Sequence, residues 1–545
     1  MRTLPAIALM LSSLFTGTYS FAQSYDIILG RPTSSSVTIS ILFDQSTEVY
    51  LEYGVSPGGY NSWTPQAVAA KDTPLETDIT GLLPDTKYYY RTRYRANGAT
   101  TAFMTGPEYS FHTQRAEGSA FSFTIESDEH LYDKKGIRSL YQVCLDNQAK
   151  DNPDFMFSLG DIFGDDHNPN TTTSAQMDAL HKDYRQYLGS ICHSLPLFIC
   201  LGNHEGEKAY FLKQNPPENI AVYATLWRKF YYPNPSPGSF YSGNPDSEGY
   251  GMGNPENYYS WTWGDALFVV LDVYRYDCDT SAKPKNWEWT LGSAQYTWLK
   301  NTLENSTAKF KFVFAHHTRG EGRGGIATAK YFEWGGYEAN GTTWGFTTQR
   351  PGWDKPIHQL FVDNGVNIYF QGHDHLFARE VLDGVIYQEV PMPSDSTYEL
   401  GMKANAGAYV SDTLDGSGHL KVTVTSTCVR VDFVRAYLPA DTIGGIHHNR
   451  EVAFSYTIGN CPTGIQAKTG VAEVKVYPNP AKERITVVLP EGIGPAEISL
   501  VNMLGQTLLQ TKSTSIDVGG FAEGVYFLRI TTVAYKGTKK IIINR

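Results

Sequence analysis

The sequence is poor in charged residues and in long apolar runs. Charged residues make up 19% of its 545 residues, and 45 Lys and Arg face 56 Asp and Glu, so the formal net charge is −11. This acidic balance argues against a broad nucleic-acid-binding face and a stable nucleic-acid partner. After residue 22 no apolar run approaches the roughly 18 residues of a membrane-spanning helix. We therefore expect a soluble mature protein without a transmembrane segment.

Cysteine is also scarce, and its spacing excludes two kinds of site. The six cysteines are Cys144, Cys192, Cys200, Cys278, Cys428 and Cys461. Because none stands in a C-x-x-C pair, zinc-ribbon and thioredoxin-like sites are excluded. Disulfides are permitted in an exported protein. The pairs Cys192–Cys200 and Cys428–Cys461 are the first to test, although six cysteines allow many other connectivities.

The length and the first residues indicate an exported, multidomain protein. At roughly 150 residues per domain the length predicts three or four domains, and hydrophobic residues at 41% are typical of globular chains. Residues 1–22 have the pattern of a signal peptide, with Arg2, an apolar stretch from Leu4 to Phe15, and the small residues Ser20 and Ala22 before a cleavage site. A membrane anchor is the alternative, for which the stretch is short.

Residues 23–115 form a region rich in predicted strands. The segments 36–43 (SVTISILF), 49–53 (VYLEY) and 88–94 (YYYRTRY) have strand-forming composition. The run 81–90 (GLLPDTKYYY) predicts a turn whose tyrosine bonds back to the preceding corner. This region resembles fibronectin type III domains, particularly those before purple acid phosphatase catalytic domains. Because it has no metal or nucleophile constellation, we interpret it as a packing or spacer module.

Residues 118–460 alternate apolar runs with helical stretches such as 134–150 and 293–304. The alternation predicts an α/β sandwich with two central β-sheets flanked by helices. A polar linker follows at 462–470.

Residues 471–545 form a third unit of short strands separated by Gly and Pro turns, which predicts a small β-sandwich. Its motifs are VYPNP at 476–480, NMLGQ at 502–506, GVYFL at 524–528 and the ending KKIIINR at 539–545. Their order resembles the C-terminal sorting domain of type IX secretion cargo. The resemblance implies that the type IX secretion machinery is a partner and that the sorting domain is removed after export. It also implies a secreted or surface location in a Gram-negative bacterium. An ordinary binding module is the alternative.

Five short motifs each follow an apolar run that predicts a strand. They are Asp128-Glu-His130, Gly160-Asp161, Gly202-Asn203-His204-Glu205, Ala315-His316-His317 and Gly372-His373-Asp374-His375. Loops at one edge of a sheet commonly assemble the site of an α/β fold, so the five segments are expected to converge. Carboxylates, imidazoles and an Asn carbonyl suit Zn, Fe or Mn. A pair of such ions needs a bridging ligand, for which we select Asp161.

The order of these motifs resembles the calcineurin-like metallophosphoesterases over about 340 residues. The resemblance implies that Asp128, His130 and His375 bind one metal, that Asn203, His316 and His373 bind a second, and that Asp161 bridges the two. It implies two divalent or mixed-valence ions of uncertain identity. His204 would donate a proton to the leaving oxygen or stabilise its charge, and Glu205 would orient His204. His317 either lines the substrate pocket or is an exposed neighbour.

Two positions depart from the purple acid phosphatases within this resemblance. Gly164 stands where those enzymes carry a tyrosine ligand, and His130 is present where they lack a histidine. A ferric ion is therefore not specified, and we expect a colourless protein. The neighbouring 165–167 (DDH) is interpreted as a solvated loop.

The segment after His316, 318–325 (TRGEGRGG), is a glycine-rich loop with two arginines. Glycine lets the backbone approach a ligand closely, and arginine matches phosphate oxygens with paired hydrogen bonds. Arg319 and Arg323 are thus candidate substrate contacts, and a flexible surface loop is the alternative.

The sequence as a whole predicts a secreted phosphatase-like hydrolase of small phosphate esters, attacked in line by a hydroxide held between two metals. Phosphodiesterase, nuclease or pyrophosphatase activity on the same site remains open, as does a non-catalytic surface protein, which should have lost a metal ligand. Residues 471–545 carry a formal charge of +3, so the remainder is −14. Binding of phosphate therefore depends on metal ions, on His204 and on the two arginines for positive charge.

Overall fold

The computed structural model describes residues 24–163, 168–276, 281–318, 320–400, 404–409, 411–461, 475–489, 496–502, 506–531 and 536–544. The predicted signal peptide, the linker 462–470, Gly164, the 165–167 loop, Cys278 and Arg319 lie outside these residues. The chain divides into two compact units, Met1–Cys461 and Pro462–Arg545, which are described separately.

The first unit begins with a β-sandwich, as predicted. Its strands are β1 Tyr25–Gly30, β2 Ser36–Phe43, β3 Thr47–Gly54, β4 Ser62–Trp63, β5 Ala67–Ala69, β6 Leu75–Thr80, β7 Lys87–Ala96 and β8 Met104–His112. One sheet has the order β1-β2-β6; the other has the order β4-β3-β7-β8, with β5 paired to β3. Tyr88 and Tyr90 of β7 point into the core between them. The backbone N–H of Leu83 donates to the Tyr88 hydroxyl at 2.9 Å, which confirms the predicted corner.

This N-terminal sandwich packs firmly against the rest of the unit. Ile28 and Leu42 belong to the same apolar cluster as Met156 and Leu197, which lie beyond the sandwich. The fully buried guanidinium of Arg185 donates to the Asp26 carboxylate at 2.6 Å. These contacts agree with the interpretation of this region as a packing or spacer module.

Two further sheets form the centre of the first unit. Their strands are β9 Phe121–Glu126, β10 Phe155–Ser158, β11 Leu197–Ile199, β12 Ser242–Gly243, β13 Tyr259–Trp263, β14 Ala266–Val270, β15 Phe310–Phe314, β16 Ile368–Gln371, β17 Phe377–Leu382, β18 Val385–Glu389, β19 Asp412–Leu414, β20 Ser417–Val424, β21 Cys428–Ala436 and β22 Val452–Gly459. The orders are β11-β10-β9-β20-β21-β22 and β12-β13-β14-β15-β16-β18-β17-β19. Phe123 and Phe157 of the first sheet meet Phe268 and Phe314 of the second in one cluster, so the predicted two-sheet sandwich is confirmed.

Helices cover the outer faces of both central sheets. They are α1 Arg138–Asp151, α2 Ser174–Cys192, α3 Ala209–Leu212, α4 Ile220–Tyr231, α5 Gly292–Glu304, α6 Ile326–Ala329, α7 Phe332–Gly335, α8 Phe346–Gln349 and α9 Ile357–Asp363. Leu145 of α1 and Leu188 of α2 pack with Met156 of β10. Leu299 of α5 and Phe361 of α9 pack with Val313 of β15.

The first of these helices starts later than the sequence predicts. Lys134 has a φ of 62°, a left-handed conformation that is incompatible with continuing a right-handed helix. Residues 131–134 instead form a turn next to His130. α2 begins with a capping box between Thr173 and Gln176, which satisfies N–H groups that a helix start leaves unpaired. In the described part of the chain, no helix is both long and apolar enough to cross a membrane.

The cysteines confirm one expected pairing and overturn the other. Cys428 and Cys461 form a disulfide between the start of β21 and the end of the first unit. Cys192 and Cys200 are both free and buried. The Cys192 thiol faces Met156 and the Cys200 thiol faces the Leu271 carbonyl, so packing separates the two despite their closeness in sequence.

The second unit is strand-rich, as expected. Its strands are β23 Lys475–Tyr477, β24 Arg484–Val488, β25 Glu497–Val501, β26 Thr507–Thr511, β27 Ser515–Asp517, β28 Gly524–Thr531 and β29 Lys536–Ile543. They form sheets of order β23-β24-β27 and β26-β25-β28-β29. Ile485, Ile498 and Leu528 lie in the core that the two sheets share, which gives a small β-sandwich.

Candidate metal centre

The five predicted motifs come together at one edge of the two central sheets. Strands β9, β10 and β11 run parallel, as do β14, β15 and β16, so the loops that follow them leave at the same edge. Two sets of three side chains place their ligand atoms within 4.8 Å of one another, namely Asp128, His130 and His375, and Asp161, His316 and His373. All six side chains are buried.

Asp161 lies between the two sets. Its Oδ2 atom is 3.2 Å from Nε2 of His316 and 3.8 Å from Nε2 of His130, one residue of each set. The Oδ1 atom of Asp128 lies 3.5 Å from Nε2 of His375. Asn203, which is 4% exposed, directs its Oδ1 to within 3.1 Å of Nε2 of His316. The geometry therefore suits two ions that share Asp161.

The unpaired polar atoms of the centre fit metal ligands. Oδ1 of Asp128, Nε2 of His130, Nε2 of His373 and Nδ1 of His375 are buried and have no hydrogen-bond partner among the residues described. Unpaired buried polar groups are costly and uncommon in folded proteins. Imidazole nitrogens and carboxylate oxygens that converge in this way are ligands for Zn, Fe or Mn, so the donor set fits two such ions.

The loops that carry the ligands have an unusual backbone. Asp128, His130, Asp161, His373 and His375 all have φ between 44° and 80°, a region that costs free energy for residues with a Cβ atom. Such conformations persist where the surrounding structure and the function require them.

Two of the motif glycines allow the close packing of these loops. A Cβ atom on Gly202 would lie 2.3 Å from Oδ1 of Asp161, and one on Gly372 would lie 2.5 Å from Oδ2 of Asp128. No side chain fits at either position without displacing a ligand, which explains why glycine precedes the ligand in both motifs.

Hydrogen bonds on the far side of the imidazoles fix their orientation. Nδ1 of His316 donates to the Leu159 carbonyl at 2.9 Å, which leaves Nε2 facing the centre. Nδ1 of His130 lies 3.2 Å from the Asp133 carboxylate and 2.9 Å from the Tyr132 hydroxyl. Outer contacts of this kind set the tautomer and the direction of a metal-binding histidine.

The electrostatics of the centre favour charged carboxylates and two neutral imidazoles. Burial alone would raise the pKa of Asp128, but His316, His130 and His375 hold it at about 2. Burial lowers the pKa of His375 to about 3 and that of His373 well below its usual value. Metal ligands must be deprotonated, and these three groups already favour that state.

His204 lies at the accessible side of the centre. Its side chain is 21% exposed, and its Nε2 is 4.0 Å from Oδ2 of Asp161. Its backbone N–H donates to the other carboxylate oxygen of Asp161 at 2.7 Å. The imidazole is therefore next to the metal ligands and also open to an incoming molecule.

Glu205 contacts a different partner from the one expected. Its carboxylate accepts hydrogen bonds from the backbone N–H groups of Asp161 at 3.0 Å, Ile162 at 2.6 Å and Gly202 at 2.5 Å. These hydrogen bonds show that Glu205 supports the Asp161 loop. The orienting of His204 by Glu205 stays a prediction.

The candidate substrate contacts His317 and Arg323 differ in burial and in hydrogen-bond partners. His317 is fully buried, and its Nε2 bonds the Gly324 carbonyl at 3.0 Å, so it is not an exposed neighbour of His316. Arg323 has a half-exposed side chain whose Nη1 donates to the His373 carbonyl at 2.6 Å and to Asp374 at 3.1 Å. Arg319 lies outside the described residues.

Three further residues were not predicted from the sequence. Tyr132 lies with its ring 5.4 Å from that of His130 and 6.0 Å from that of His204. Asp133 contacts His130. Its position three residues after a histidine is the sequence signal that could have identified it. Lys208 is 2% exposed, four residues after His204, and nothing in its local sequence marks it.

The fold and the two ligand sets define a metal-dependent phosphoesterase class of domain. Residues 121–377 match the calcineurin-like phosphoesterase family, and the chain contains a domain of that family. Residues 475–544 match the secretion system C-terminal sorting domain. The sorting domain indicates export to the cell surface or beyond.

Solved structures show the same fold at low sequence identity. PhoD is 18% identical with a TM-score of 0.55, over 81% of this chain and 92% of that one. Purple acid phosphatase PPD1 from yellow lupin (Lupinus luteus) seeds is 16% identical with a TM-score of 0.53, over 82% of this chain and 78% of that one. The comparison with curated proteins gave no significant match.

Proposed function

We propose that the chain is an exported, metal-dependent hydrolase of small phosphate monoesters. The observation that carries the proposal is the position of the Asp161 carboxylate, whose Oδ2 reaches His130 of one ligand set and His316 of the other. Such a shared carboxylate is what a pair of closely spaced metal ions requires. Asn203 and the unpaired atoms of Asp128 and His373 complete the donor set.

The metal ligands, His204, Arg323 and Glu205 have separate roles in the proposed hydrolysis. Two metal ions held by these ligand sets would lower the pKa of a bound water and would offset the charge of the phosphoryl oxygens. His204, exposed beside Asp161, donates a proton to the leaving oxygen. Arg323 contributes a cation that suits phosphate oxygens, and Glu205 keeps the Asp161 loop in place. No side chain needs to form a covalent intermediate.

The choice of monoesters rests on analogy. An N-terminal β-sandwich before a calcineurin-like domain resembles the arrangement of purple acid phosphatases, and fold likeness alone does not define a substrate. A substrate panel therefore has to compare monoesters, diesters and pyrophosphate on the same protein.

The test is a metal analysis of the purified mature protein coupled to that panel. We expect two bound metals per chain and hydrolysis of p-nitrophenyl phosphate faster than that of bis-p-nitrophenyl phosphate. Preference for the diester would reject the monoester assignment. Fewer than two metals under every loading condition, together with no hydrolysis, would reject the proposal as a whole.

Export is proposed to proceed in two steps, by a signal peptide at residues 1–22 and then by the C-terminal sorting domain. The mature enzyme would retain the Cys428–Cys461 disulfide, because that pair precedes the linker at 462–470. Intact-mass measurement of the secreted protein tests this, since a mass that includes residues 475–544 would contradict removal of the tail.

A further inference from the structure

A buried lysine joins the segment that carries His204 to the glycine-rich loop after His316. Lys208 is 2% exposed, and its Nζ donates to Oε1 of Glu321 at 2.7 Å. Glu321 lies within the 318–325 loop, and its second carboxylate oxygen contacts the exposed Lys283. The ion pair thus joins two segments that are 113 residues apart in sequence.

Separation of the pair costs free energy, because a buried ammonium group is unfavourable unless it is paired. Burial would raise the pKa of Glu321, but Lys208 and Lys283 lower it below its usual value. The carboxylate is therefore charged at neutral pH. The lysine side chain also lies against the rings of Tyr210 and Phe211, 5.9 Å and 5.5 Å from their centroids.

The residue before Lys208 is fixed by two further contacts. Glu207, the preceding residue, pairs with the fully buried Arg228 at 2.6 Å. The carbonyl of Glu207 accepts a hydrogen bond from Arg275 at 3.1 Å. Lys208 is consequently fixed relative to the loop that bears His204 and Glu205.

The other end of the 318–325 loop reaches the metal centre. Arg323 donates to the carbonyl of His373, a predicted ligand, and the backbone N–H of Gly324 donates to Asp374 at 2.7 Å. Immediately before Glu321, the Gly320 carbonyl accepts from the Tyr274 hydroxyl at 2.9 Å. Residues 320–324 are therefore attached through Gly320 and Glu321 at one end and through Gly324 at the other, and Arg323 lies between these attachments.

We propose that Lys208 is a positioning residue whose ion pair with Glu321 holds residues 320–324 so that Arg323 can contact the phosphate of the substrate. The inference rests on the proposed function and adds to it a residue pair that determines the affinity for the substrate. Lys208 itself does not contact the substrate. Loss of either partner loosens the loop and weakens phosphate binding, whereas the metal ligands and His204 remain in place.

The experiment compares Lys208→Met, Glu321→Gln and the double variant in the metal-loaded full chain. For p-nitrophenyl phosphate we expect KM to rise about tenfold in each single variant with kcat changed less than about threefold. The KM of the double variant should be close to that of each single variant, because the two residues act as one unit. Inorganic phosphate should inhibit about tenfold more weakly in all three, in line with the loss in affinity.

Two further measurements separate positioning from other roles. Hydrogen–deuterium exchange should be faster at 318–325 in the variants, while metal content stays at the wild-type value. The matched control is Asp154→Asn, which breaks the part-buried pair with Arg115 (2.7 Å) away from the centre and should leave KM and exchange in the loop unchanged.

An elevated KM in Lys208→Met but not in Glu321→Gln would show that the lysine contacts phosphate directly, and would overturn the inference. Unchanged exchange at 318–325 in both variants would overturn it as well. If the loaded wild-type protein hydrolyses no phosphate ester, the proposed function fails, and the exchange experiment still decides whether the ion pair holds the loop.

Discussion

Asp161 donates its backbone N–H to the buried carboxylate of Glu205 at 3.0 Å. The same carboxylate accepts the N–H groups of Ile162 and Gly202, so Asp161 and the segment before Asn203 share one acceptor. Two loops of the metal centre are thus joined beneath the ligands by a single side chain.

Replacement of Glu205 should therefore weaken metal binding before it affects proton transfer. Glu205→Ala leaves several buried N–H groups unpaired, at about 1–3 kcal/mol for each such group, so we expect a lower melting temperature and loss of bound metal by elemental analysis. The matched control is Asp272→Asn, since Asp272 also caps a buried loop, through Tyr274 and Arg275. That variant should be less stable yet keep its metal, and equal loss of metal in both would contradict this role.

Metal stoichiometry should follow the two ligand sets. His375→Ala removes a residue of the first set and His373→Ala one of the second, so each should bind one metal fewer than the wild type. Asp161→Ala removes the shared carboxylate and should weaken both sites. Inductively coupled plasma mass spectrometry after dialysis measures this, and retention of both metals in Asp161→Ala would argue against the bridge.

His204 should affect turnover rather than metal content. Loss of a general acid typically costs about 10²–10⁴-fold in rate, so His204→Ala should reduce kcat on that scale while binding the wild-type quantity of metal. The effect should be smaller on a substrate with a good leaving group, such as p-nitrophenyl phosphate, than on an alkyl phosphate. A parallel loss of metal and activity would assign His204 to metal binding.

The stability of the protein should fall in acid partly through His181. This residue is fully buried, and burial lowers its pKa to about 4, against about 6.5 in an unfolded chain. The folded state binds fewer protons, so the contribution of His181 is complete above pH 6.5 and is lost as the pH falls towards 4. The expected loss is about 3 kcal/mol.

The check is chemical denaturation of the wild type and His181→Gln between pH 7 and 4. Glutamine can donate to the Met177 carbonyl, which His181 contacts at 2.7 Å, without taking up a proton. The difference in unfolding free energy between the two proteins should change over this pH range. A constant difference would show that His181 does not titrate as expected.

The ion pair between Arg185 and Asp26 should contribute strongly to stability. Removal of one partner of a buried pair costs about 3–5 kcal/mol, and Arg185 is fully buried. Asp26→Asn should therefore lower the unfolding free energy by several times more than Asp72→Asn. The latter breaks the exposed pair of Lys182 and Asp72 between the same two parts of the chain, for which about 0–1 kcal/mol is usual. Similar melting temperatures for both variants would contradict this.

The ligands were predictable from the sequence because each follows an apolar strand that ends at the same edge of a sheet. That rule predicted that Asp128, Asp161 and His316 converge, and the resemblance to the metallophosphoesterases assigned them as ligands. The hydrogen bonds from the Asp161 loop to Glu205 had no local signal, because these donors are residues 161–163, about 40 positions away in sequence.

Other contacts had no local signal. Lys208 stands in a segment without periodicity, and its partner is 113 residues away. The packing of Arg185 on the N-terminal sandwich depends on tertiary contacts between residues 159 positions apart. The Cys192–Cys200 pairing failed because strand β11 and helix α2 direct the two thiols to different neighbours.

The shared apolar cluster of Ile28, Leu42, Met156 and Leu197 has a consequence for how the enzyme can be shortened or recombined. A chain beginning at residue 118 would expose apolar surface beneath β10 and β11 and would deprive Arg185 of its carboxylate. Such a fragment should aggregate even though every metal ligand is present. The smallest exchangeable piece of this protein is therefore the span from residue 24 to residue 461, and homologues should gain or lose the sandwich and the catalytic sheets together.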